Sequence, residues 1–478
     1  MSAPESAGDS PLHPTAQAKR KARGIAAAYA AMVLVTVGLF LLIRGYGERL
    51  VAPPSAAAQT LAEAPAPPAD VLPRVLFALA AVIVAGQFIG RLFTYVGQPP
   101  VIGEVVAGIL LGPSFLGPNT SALILPPEIA PFLQVIAQLG VILYMFMVGL
   151  DLNAGLIKGR AHALVATSHA SILLPFLLGS VLALALYPRL SSRDVPFTSF
   201  VLFLAVAMSI TAFPVLARIL TDRGMSRTEL GVVALSCAAT DDVTAWCLLA
   251  FVVGVAKAQA GAGLAVAGGT LAYLAAMMLV VRPLAARLAR RCRTEPVPRS
   301  AAALTFVALL ASALTTDLIG IHAVLGAFLL GAVIPHDSAL ARSFTRHLEQ
   351  VVTILLLPAF FAFTGMRTRI DLVSGWGAWL ICGLIILVAT VGKFGGTCLA
   401  ARFTGLAWRD AAALGALMNT RGLMELIVLN IGLDLKVISP PLFAMMVLMA
   451  IVTTMMTGPA LHYLLPTARP SHSPKIDC

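Results

Sequence analysis

A succession of long apolar segments is the feature that most constrains what this chain can fold into. We count about thirteen such segments after residue 73, each roughly 17–27 residues long, close to the ~20 residues that a helix needs to cross a bilayer. Only helices and closed barrels satisfy their own backbone in lipid, and barrel strands alternate polar and apolar residues. The sequence therefore predicts an all-α polytopic membrane protein. The segments lie near 74–95, 100–117, 130–150, 162–187, 198–220, 228–254, 261–281, 300–318, 320–336, 350–366, 375–401, 411–434 and 440–465.

The composition supports this prediction and excludes several other classes of protein. Hydrophobic residues make up 59% of the 478 residues and charged residues only 12%, about half the ~25% that is typical of soluble domains. A soluble globule of this composition could not cover its surface with polar groups. This excludes a soluble enzyme, a nucleic-acid-binding domain and a disordered scaffold.

The N-terminal residues form a unit of their own. A polar tail with a basic cluster precedes an apolar run at 24–43, and a Pro/Ala-rich linker follows at about 52–73. This opening resembles a signal peptide with AAAQ at 57–60 as its cleavage site, but the run is also long enough for an uncleaved signal anchor, which we favour. The predicted units are the N-terminal unit at 1–73, a membrane domain at 74–466 and a short cytoplasmic tail at 467–478.

Lys and Arg residues are distributed unevenly between alternate loops. If the N-terminus is cytoplasmic, the inner core loops carry 18 of them and the outer core loops six. The positive-inside rule therefore predicts cytoplasmic N- and C-termini, provided that the first helix is not cleaved. We expect a membrane of the bacterial inner (plasma) membrane type. The basic inner loops explain the net charge of +11 without nucleic acid.

The seventh core segment (261–281) divides the others into two sets of six. An odd connector places the two sets in opposite orientations, as in the inverted repeats of secondary transporters. The fifth and twelfth segments correspond under this division, and both are interrupted, one by Pro214 in SITAFPV and one by the polar residues of MNTRGLMEL (418–426). Broken helices at matched places expose carbonyls and helix ends near the midplane, where ions are held.

Two adjacent carboxylates stand in the middle of an apolar segment. Asp241 and Asp242 lie in AATDDVTAW (238–246), and a charge at that depth costs ~2.5–3.5 kcal/mol on insertion scales. Neighbours on a helix point about 100° apart, so one can face a cavity while the other faces a neighbouring helix. Two structural carboxylates would have little rationale, which favours a functional role. Adjacency on one helix argues against an intramembrane aspartic protease, whose two aspartates must face each other from different helices.

Lys393, within ATVGKFGGT, is the natural partner of Asp241. Gly392, Gly395 and Gly396 would let two helices approach closely at that point. The alternative is that the lysine extends along its stem to the inner membrane interface.

Five further polar residues are candidates for the site or its surroundings. Arg421 and Glu425 lie four apart on one helix face and suit a structural ion pair, with a direct place in the ion path as the alternative. Thr211 and Asn419, in the two interrupted segments, are candidate polar ligands at helix ends. Glu104 follows a Pro-Pro pair, and we expect it in the first turn of its helix, where the helix dipole favours a carboxylate.

Five sequence features follow one another along the chain in a characteristic order. They are QPPVIGEVVAGILLGPS (98–114), SITAFPVLARIL (209–220), the Asp-Asp pair, LPAFFAFTGMRT (357–368) and MNTRGLMELIVLNIG (418–432). Through these features the chain resembles family 2 of the monovalent cation:proton antiporters, and most closely the branch of plant cation/proton exchangers and bacterial sodium/proton exchangers. The resemblance covers about 74–465.

The resemblance implies a homodimer with a dimerisation domain and a six-helix core domain in which the two broken helices cross. It also implies roles for single residues. Asp242 matches the carboxylate that binds the cation or the proton, and Asp241 a position that is aspartate in electrogenic members and asparagine in electroneutral ones. Lys393 matches the lysine that pairs with this first aspartate, and Glu104 matches a glutamate that bears on transport.

The function implied by the resemblance is secondary active exchange of Na⁺ or K⁺ for protons by alternating access, without enzymatic activity or a cofactor. A gated K⁺ efflux protein and a non-transporting sensor on the same scaffold are the alternatives. Relatives of the efflux proteins carry a nucleotide-binding domain with a glycine fingerprint after the last helix. About a dozen residues follow 466 in this sequence, so we do not expect that domain here. The spacing of residues does not separate Na⁺ from K⁺.

Overall fold

A computed structural model of the chain describes residues 16–54, 71–151, 161–226, 228–257, 263–292 and 296–465. Within these ranges the chain is almost entirely helical and contains no strand, which confirms the all-α class. The helices are α1 (Ala16–Gly47), α2 (Val71–Tyr95), α3 (Pro100–Leu111), α4 (Pro113–Ile124), α5 (Ala130–Asp151), α6 (Ala161–Leu190), α7 (Phe197–Ala207), α8 (Phe213–Asp222), α9 (Glu229–Lys257), α10 (Gly263–Ala276), α11 (Arg282–Arg291), α12 (Arg299–Ile319), α13 (Ala323–Val333), α14 (Ala339–Val351), α15 (Leu357–Arg367), α16 (Gly375–Phe403), α17 (Trp408–Met418), α18 (Leu423–Asp434) and α19 (Pro440–Leu464).

Most of these helices are suited to crossing a membrane. In the described ranges ten spans are long and apolar enough, and two bent helix pairs raise the number to twelve if each pair is one span. Each predicted segment contains a helix, but α7 and α13 have only 11 residues each, short of the ~20 of a full crossing. The membrane-spanning fold is therefore confirmed, whereas thirteen core spans in two inverted repeats plus one extra helix stay a prediction.

Several segments differ from their predicted bounds. Helix α1 is longer than the predicted run at 24–43, because it also includes the basic cluster before it. The segment predicted over 100–117 is two helices, since Gly112 is extended and Pro113 begins α4 at an angle of 66° to α3. Proline is favoured at a helix start because its missing N–H has no intrahelical partner there. The cleavage site considered at 57–60 lies outside the described residues.

The two interrupted segments are broken in the structure, and their breaks meet. Residues 208–212 separate α7 from α8, and residues 419–422 separate α17 from α18, which are bent by 44°. Pro214 lies in the first turn of α8, where its missing N–H costs no hydrogen bond. The backbone N–H of Ala212 donates to the carbonyl of Thr420 at 3.0 Å. The two broken helices therefore cross, as the resemblance implied.

Helices α5 and α13 cross at backbone distance. Gly149 of α5 lies against Gly331 of α13, whose Cα is 2.9 Å from the place that a Cβ of Gly149 would take. A Cβ at Gly331 would collide with the carbonyl oxygen of Phe146. The contact is with backbone in a close-packed interior, so no side chain can move aside.

We therefore expect Gly331→Ala to lower the free energy of unfolding by about 1–3 kcal/mol, the usual cost of overpacking. The measurement is the midpoint of thermal unfolding of the purified protein in detergent. Gly383→Ala is the matched control, because a Cβ at Gly383 of α16 has nothing within 4 Å. Equal midpoints for the two variants would contradict the close crossing.

Candidate ion-binding site

The two candidate aspartates lie together in the middle of α9, and both are buried. Their exposed fractions are 0% for Asp241 and 1% for Asp242. Because adjacent helical residues point about 100° apart, the two carboxylates have different surroundings. One is surrounded by donors and the other is not.

The carboxylate of Asp241 accepts four hydrogen bonds from three other parts of the fold. The Ser168 hydroxyl of α6 donates to Oδ1 at 2.5 Å, and the Ser171 hydroxyl donates to Oδ2 at 2.7 Å. The Thr211 hydroxyl, in the break between α7 and α8, donates to Oδ2 at 2.9 Å. Lys393 Nζ of α16 is also 2.9 Å from Oδ2. So many donors stabilise the ionised carboxylate.

Lys393 connects this carboxylate to the backbone of the broken helix. Its Nζ also donates to the carbonyl of Ser209 at 2.6 Å, and its exposed fraction is 0%. The side chain is therefore held inside the protein, and the alternative in which it reaches the inner membrane interface is wrong. A buried ammonium in this position depends on Asp241 for its countercharge.

The glycines beside Lys393 bring α16 close to α6. A Cβ at Gly392 would lie 2.9 Å from Cα of Pro175, and a Cβ at Gly396 would lie 2.9 Å from the carbonyl oxygen of Ala170. Gly395 has nothing within 4 Å of its Cβ position, so the expectation of a close approach is wrong for that residue. Two glycines thus place the lysine beside the helix whose serines bind Asp241.

Asp242 has no such partners. Neither of its carboxylate oxygens has a hydrogen-bond partner among the described residues. The side chain lines a small, largely apolar cavity with Ile210 of the break, Trp246 of α9, and Met424 and Val428 of α18. A buried, unpaired carboxylate is costly unless a proton or a cation neutralises it.

Arg421 and Glu425 form a second buried ion pair at the crossing. Arg421 Nη1 is 3.1 Å from Glu425 Oε2, and both side chains have exposed fractions of 0%. The same guanidinium donates to the carbonyls of Ala207 and Met208 at the end of α7. A cation is favoured at that end of a helix. The Arg421–Glu425 ion pair therefore connects the two broken helices. In the described ranges no hydrogen bond joins it to Asp241 or Asp242.

The structure distributes the remaining candidates between the site and its surroundings. Thr211 binds Asp241 directly, whereas Asn419 is buried at the end of α17 with no partner for its Oδ1 among the described residues. Glu104 is the fifth residue of α3, which starts at Pro100, and it therefore lies one residue beyond the first turn. The expectation of a first-turn position is wrong. Glu104 lies beside α2, near Gly86.

The sequence interpretation missed the two serines that bind Asp241. Ser168 and Ser171 lie three apart, on one face of α6. That spacing is the only signal they give, because isolated hydroxyls also bond back to their own helix without a further role. Ser171 does so as well, since it donates to the carbonyl of Ser168 at 2.7 Å.

A polytopic helical protein whose two broken helices cross beside buried, ionisable side chains has the architecture of an ion-coupled secondary transporter. The chain belongs to the transmembrane sodium/hydrogen exchanger family, whose sequence model matches residues 76–466. This confirms the resemblance to cation:proton antiporters.

The names of individual similar proteins agree with this family assignment. The chain is 40% identical to the Na⁺/H⁺ antiporter NhaS4 of Synechocystis, over 83% of this chain and 98% of that protein. It is 38% identical to cation/H⁺ antiporter 20 of Arabidopsis thaliana, over 84% of this chain but only 49% of the plant protein. The fold is similar to that of the sodium proton antiporter MjNhaP1 from Methanocaldococcus jannaschii, with a TM-score of 0.55 and 14% identity, over 83% of this chain and 98% of that one.

Proposed function

We propose that this protein is a secondary active transporter that exchanges a monovalent cation, Na⁺ or K⁺, for protons by alternating access. The names of its relatives NhaS4 and cation/H⁺ antiporter 20 support this proposal. The observation that carries it is the contrast between Asp241, which has four donors, and Asp242, which has none among the described residues. We infer that the chain carries no enzymatic activity of its own.

Competition at Asp242 would couple the two fluxes. An unpaired buried carboxylate is stable when it is protonated or when a cation lies beside it. One carboxylate in a small cavity cannot hold both, so cation entry displaces the proton and proton entry displaces the cation. Exchange then needs no further coupling device.

The break between α7 and α8 offers a candidate backbone ligand for the cation. Arg421 binds the carbonyls of Ala207 and Met208, and Lys393 binds that of Ser209. The next residue, Ile210, lines the cavity of Asp242, and we find no hydrogen bond to its carbonyl in the described ranges. Hard monovalent and divalent cations prefer such oxygen ligands. The Ile210 carbonyl is therefore our candidate for the second ligand.

Alternating access would move one group of helices past the other. The moving unit would contain α6 to α9 and α16 to α19, which together hold the site. Arg367 of α15 pairs with Asp434 of α18 at 2.6 Å, and Asn430 of α18 donates to Thr364 of α15 at 3.0 Å. These contacts join the two groups, so they would have to break in each transport cycle. We expect the remaining helices to form the contact of a homodimer, with both chain termini cytoplasmic.

The ion pair of Asp241 and Lys393 would set the number of protons moved. If Lys393 gives up a proton when the cation arrives, two protons move for each cation and transport is electrogenic. A potential of 100 mV then supplies ~2.3 kcal/mol for one net charge, about a 50-fold shift in the cation gradient at which the flux reverses.

We expect Asp241→Asn to remove most of that shift, because Lys393 would lose the countercharge that keeps it protonated. Cation gradients at flux reversal are measured in proteoliposomes with and without an imposed potential. Ser168→Ala is the matched control, since it removes one donor to Asp241 without changing its charge, and we expect it to stay electrogenic. If the cation gradient at flux reversal in Asp241→Asn still shifted fully with voltage, the proposed stoichiometry of two protons per cation would be contradicted.

Cation-dependent dissipation of a pH gradient in vesicles tests the proposed function as a whole, with Na⁺, K⁺ and Li⁺ added in turn. An antiporter dissipates the gradient with at least one of them. Cation efflux that leaves the pH gradient intact would favour a gated K⁺ efflux protein. No flux of either ion would favour a sensor.

A further inference from the structure

Four helices enclose a cleft of about 660 Å³ at one face of the protein. The end of α1 lies on one side, and residues of α6, α7 and α9 complete the lining. Leu41 of α1 and Phe251 of α9 both line the cleft and are 55% and 59% exposed. Both belong to apolar spans of membrane-crossing length, so the cleft opens towards lipid. An acyl chain is the occupant that such an apolar opening admits.

A pair of charges lies in the same cleft. Arg44 Nε donates to Glu48 Oε1 at 2.7 Å, and the Thr198 hydroxyl donates to the same oxygen at 3.0 Å. We find no partner for the terminal nitrogens of Arg44 or for Oε2 of Glu48 in the described part of the chain. The hydrogen bonds from Arg44 and Thr198 lower the pKa of the Glu48 carboxyl, so this carboxyl is negative at neutral pH.

The depth of this pair is that of the lipid headgroups. Arg44 lies three residues before the end of α1 at Gly47, a distance of about 4.5 Å along the helix axis. The polar headgroup region begins where the hydrocarbon-spanning helix ends. The charges therefore lie at headgroup level while Leu41 and Phe251 lie beside acyl chains.

The chemistry of the pair selects among headgroups. A guanidinium with free N–H groups binds a phosphate through two hydrogen bonds. The free oxygen of Glu48 accepts from an ammonium that carries N–H groups. A headgroup with a phosphate and no ammonium would satisfy Arg44 but lie against a negative carboxylate, which is unfavourable.

We propose that this cleft binds a phosphatidylethanolamine-type lipid, with its phosphate on Arg44, its primary ammonium on Glu48 and an acyl chain between Leu41 and Phe251. The cleft volume of about 660 Å³ is suited to a ligand of this kind, because small-molecule sites measure ~300–1,000 Å³. The bound lipid would fill the space between α1 and α7, the helix that leads into the first break.

The proposal is tested by purifying the full-length protein in mild detergent. Native mass spectrometry then identifies the phospholipid that stays bound and measures its amount. We expect Arg44→Gln to lower bound phosphatidylethanolamine at least fivefold. Arg49→Gln is the matched control, because Arg49 is exposed, five residues further on, and does not line the cleft. Unchanged phosphatidylethanolamine in Arg44→Gln, or an equal loss in both variants, would overturn the proposal.

A titration of the delipidated wild-type protein keeps the proposal testable if the variants do not fold. Phosphatidylethanolamine, phosphatidylcholine and phosphatidylglycerol are added separately in detergent. We expect phosphatidylethanolamine to bind most tightly, because the quaternary ammonium of phosphatidylcholine has no N–H to donate and phosphatidylglycerol has no ammonium. Equal binding of all three, or tightest binding of phosphatidylglycerol, would overturn the proposed headgroup.

Discussion

Asp242→Asn is expected to abolish cation-dependent proton movement in proteoliposomes. The asparagine amide cannot take up or release a proton, and it offers a cation no negative charge. Because Asp242 has no hydrogen-bond partner in the described ranges, its replacement by an amide of the same shape breaks no internal contact. We therefore expect a folded protein whose exchange rate falls to that of empty vesicles.

Asp317→Asn is the control for this experiment. Asp317 is an exposed carboxylate near the end of α12, so the substitution removes one negative charge far from the crossing. We expect its exchange rate to equal that of the wild type. Exchange in Asp242→Asn above the background of empty vesicles would show that another group carries the proton.

Arg421→Met is expected to have the largest effect on stability. It would leave the carboxylate of Glu425 buried without its countercharge and would free the carbonyls of Ala207 and Met208 at the end of α7. Removal of one partner of a buried ion pair costs about 3–5 kcal/mol. Thermal unfolding in detergent is the measurement. After heating to each temperature, the protein that is still monodisperse is quantified by size-exclusion chromatography.

A second substitution separates the ion pair from the contacts with α7. In Arg421→Met combined with Glu425→Gln, no unpaired charge is buried, so we expect the double variant to be more stable than Arg421→Met alone. Arg409→Met, at an exposed arginine of α17, should leave the unfolding midpoint unchanged. A double variant as unstable as the single one would assign the effect to the carbonyls of α7 instead.

The sequence predicted the parts of this fold that have a strong local signal. Long apolar runs identified the helices, since a helix in lipid needs little else. Pro214 and the polar residues of 418–426 identified the two breaks, because each interrupts an apolar run. Charges inside apolar runs identified Asp241 and Lys393, which lie 152 residues apart in sequence and 2.9 Å apart in the structure.

The parts that the sequence did not predict depend on packing between distant segments. Ser168 and Ser171 reach Asp241 because α6 packs against α9, whereas Gly392 and Gly396 bring α16, which carries Lys393, against α6. Single hydroxyls and glycines are common in membrane helices, so neither kind of residue is distinctive by itself. The hydrogen bonds from Arg421 to the end of α7 also depend on packing between distant segments, because they form only where the two breaks cross.

Proton release on cation binding tests the central proposal, competition at Asp242, most directly. The purified protein in weakly buffered detergent is titrated with Na⁺ or K⁺ while a pH indicator records protons released. The proposal predicts acidification that saturates with the cation and is absent in Asp242→Asn. Cation binding to the wild-type protein without proton release, or unchanged release from Asp242→Asn, would contradict it.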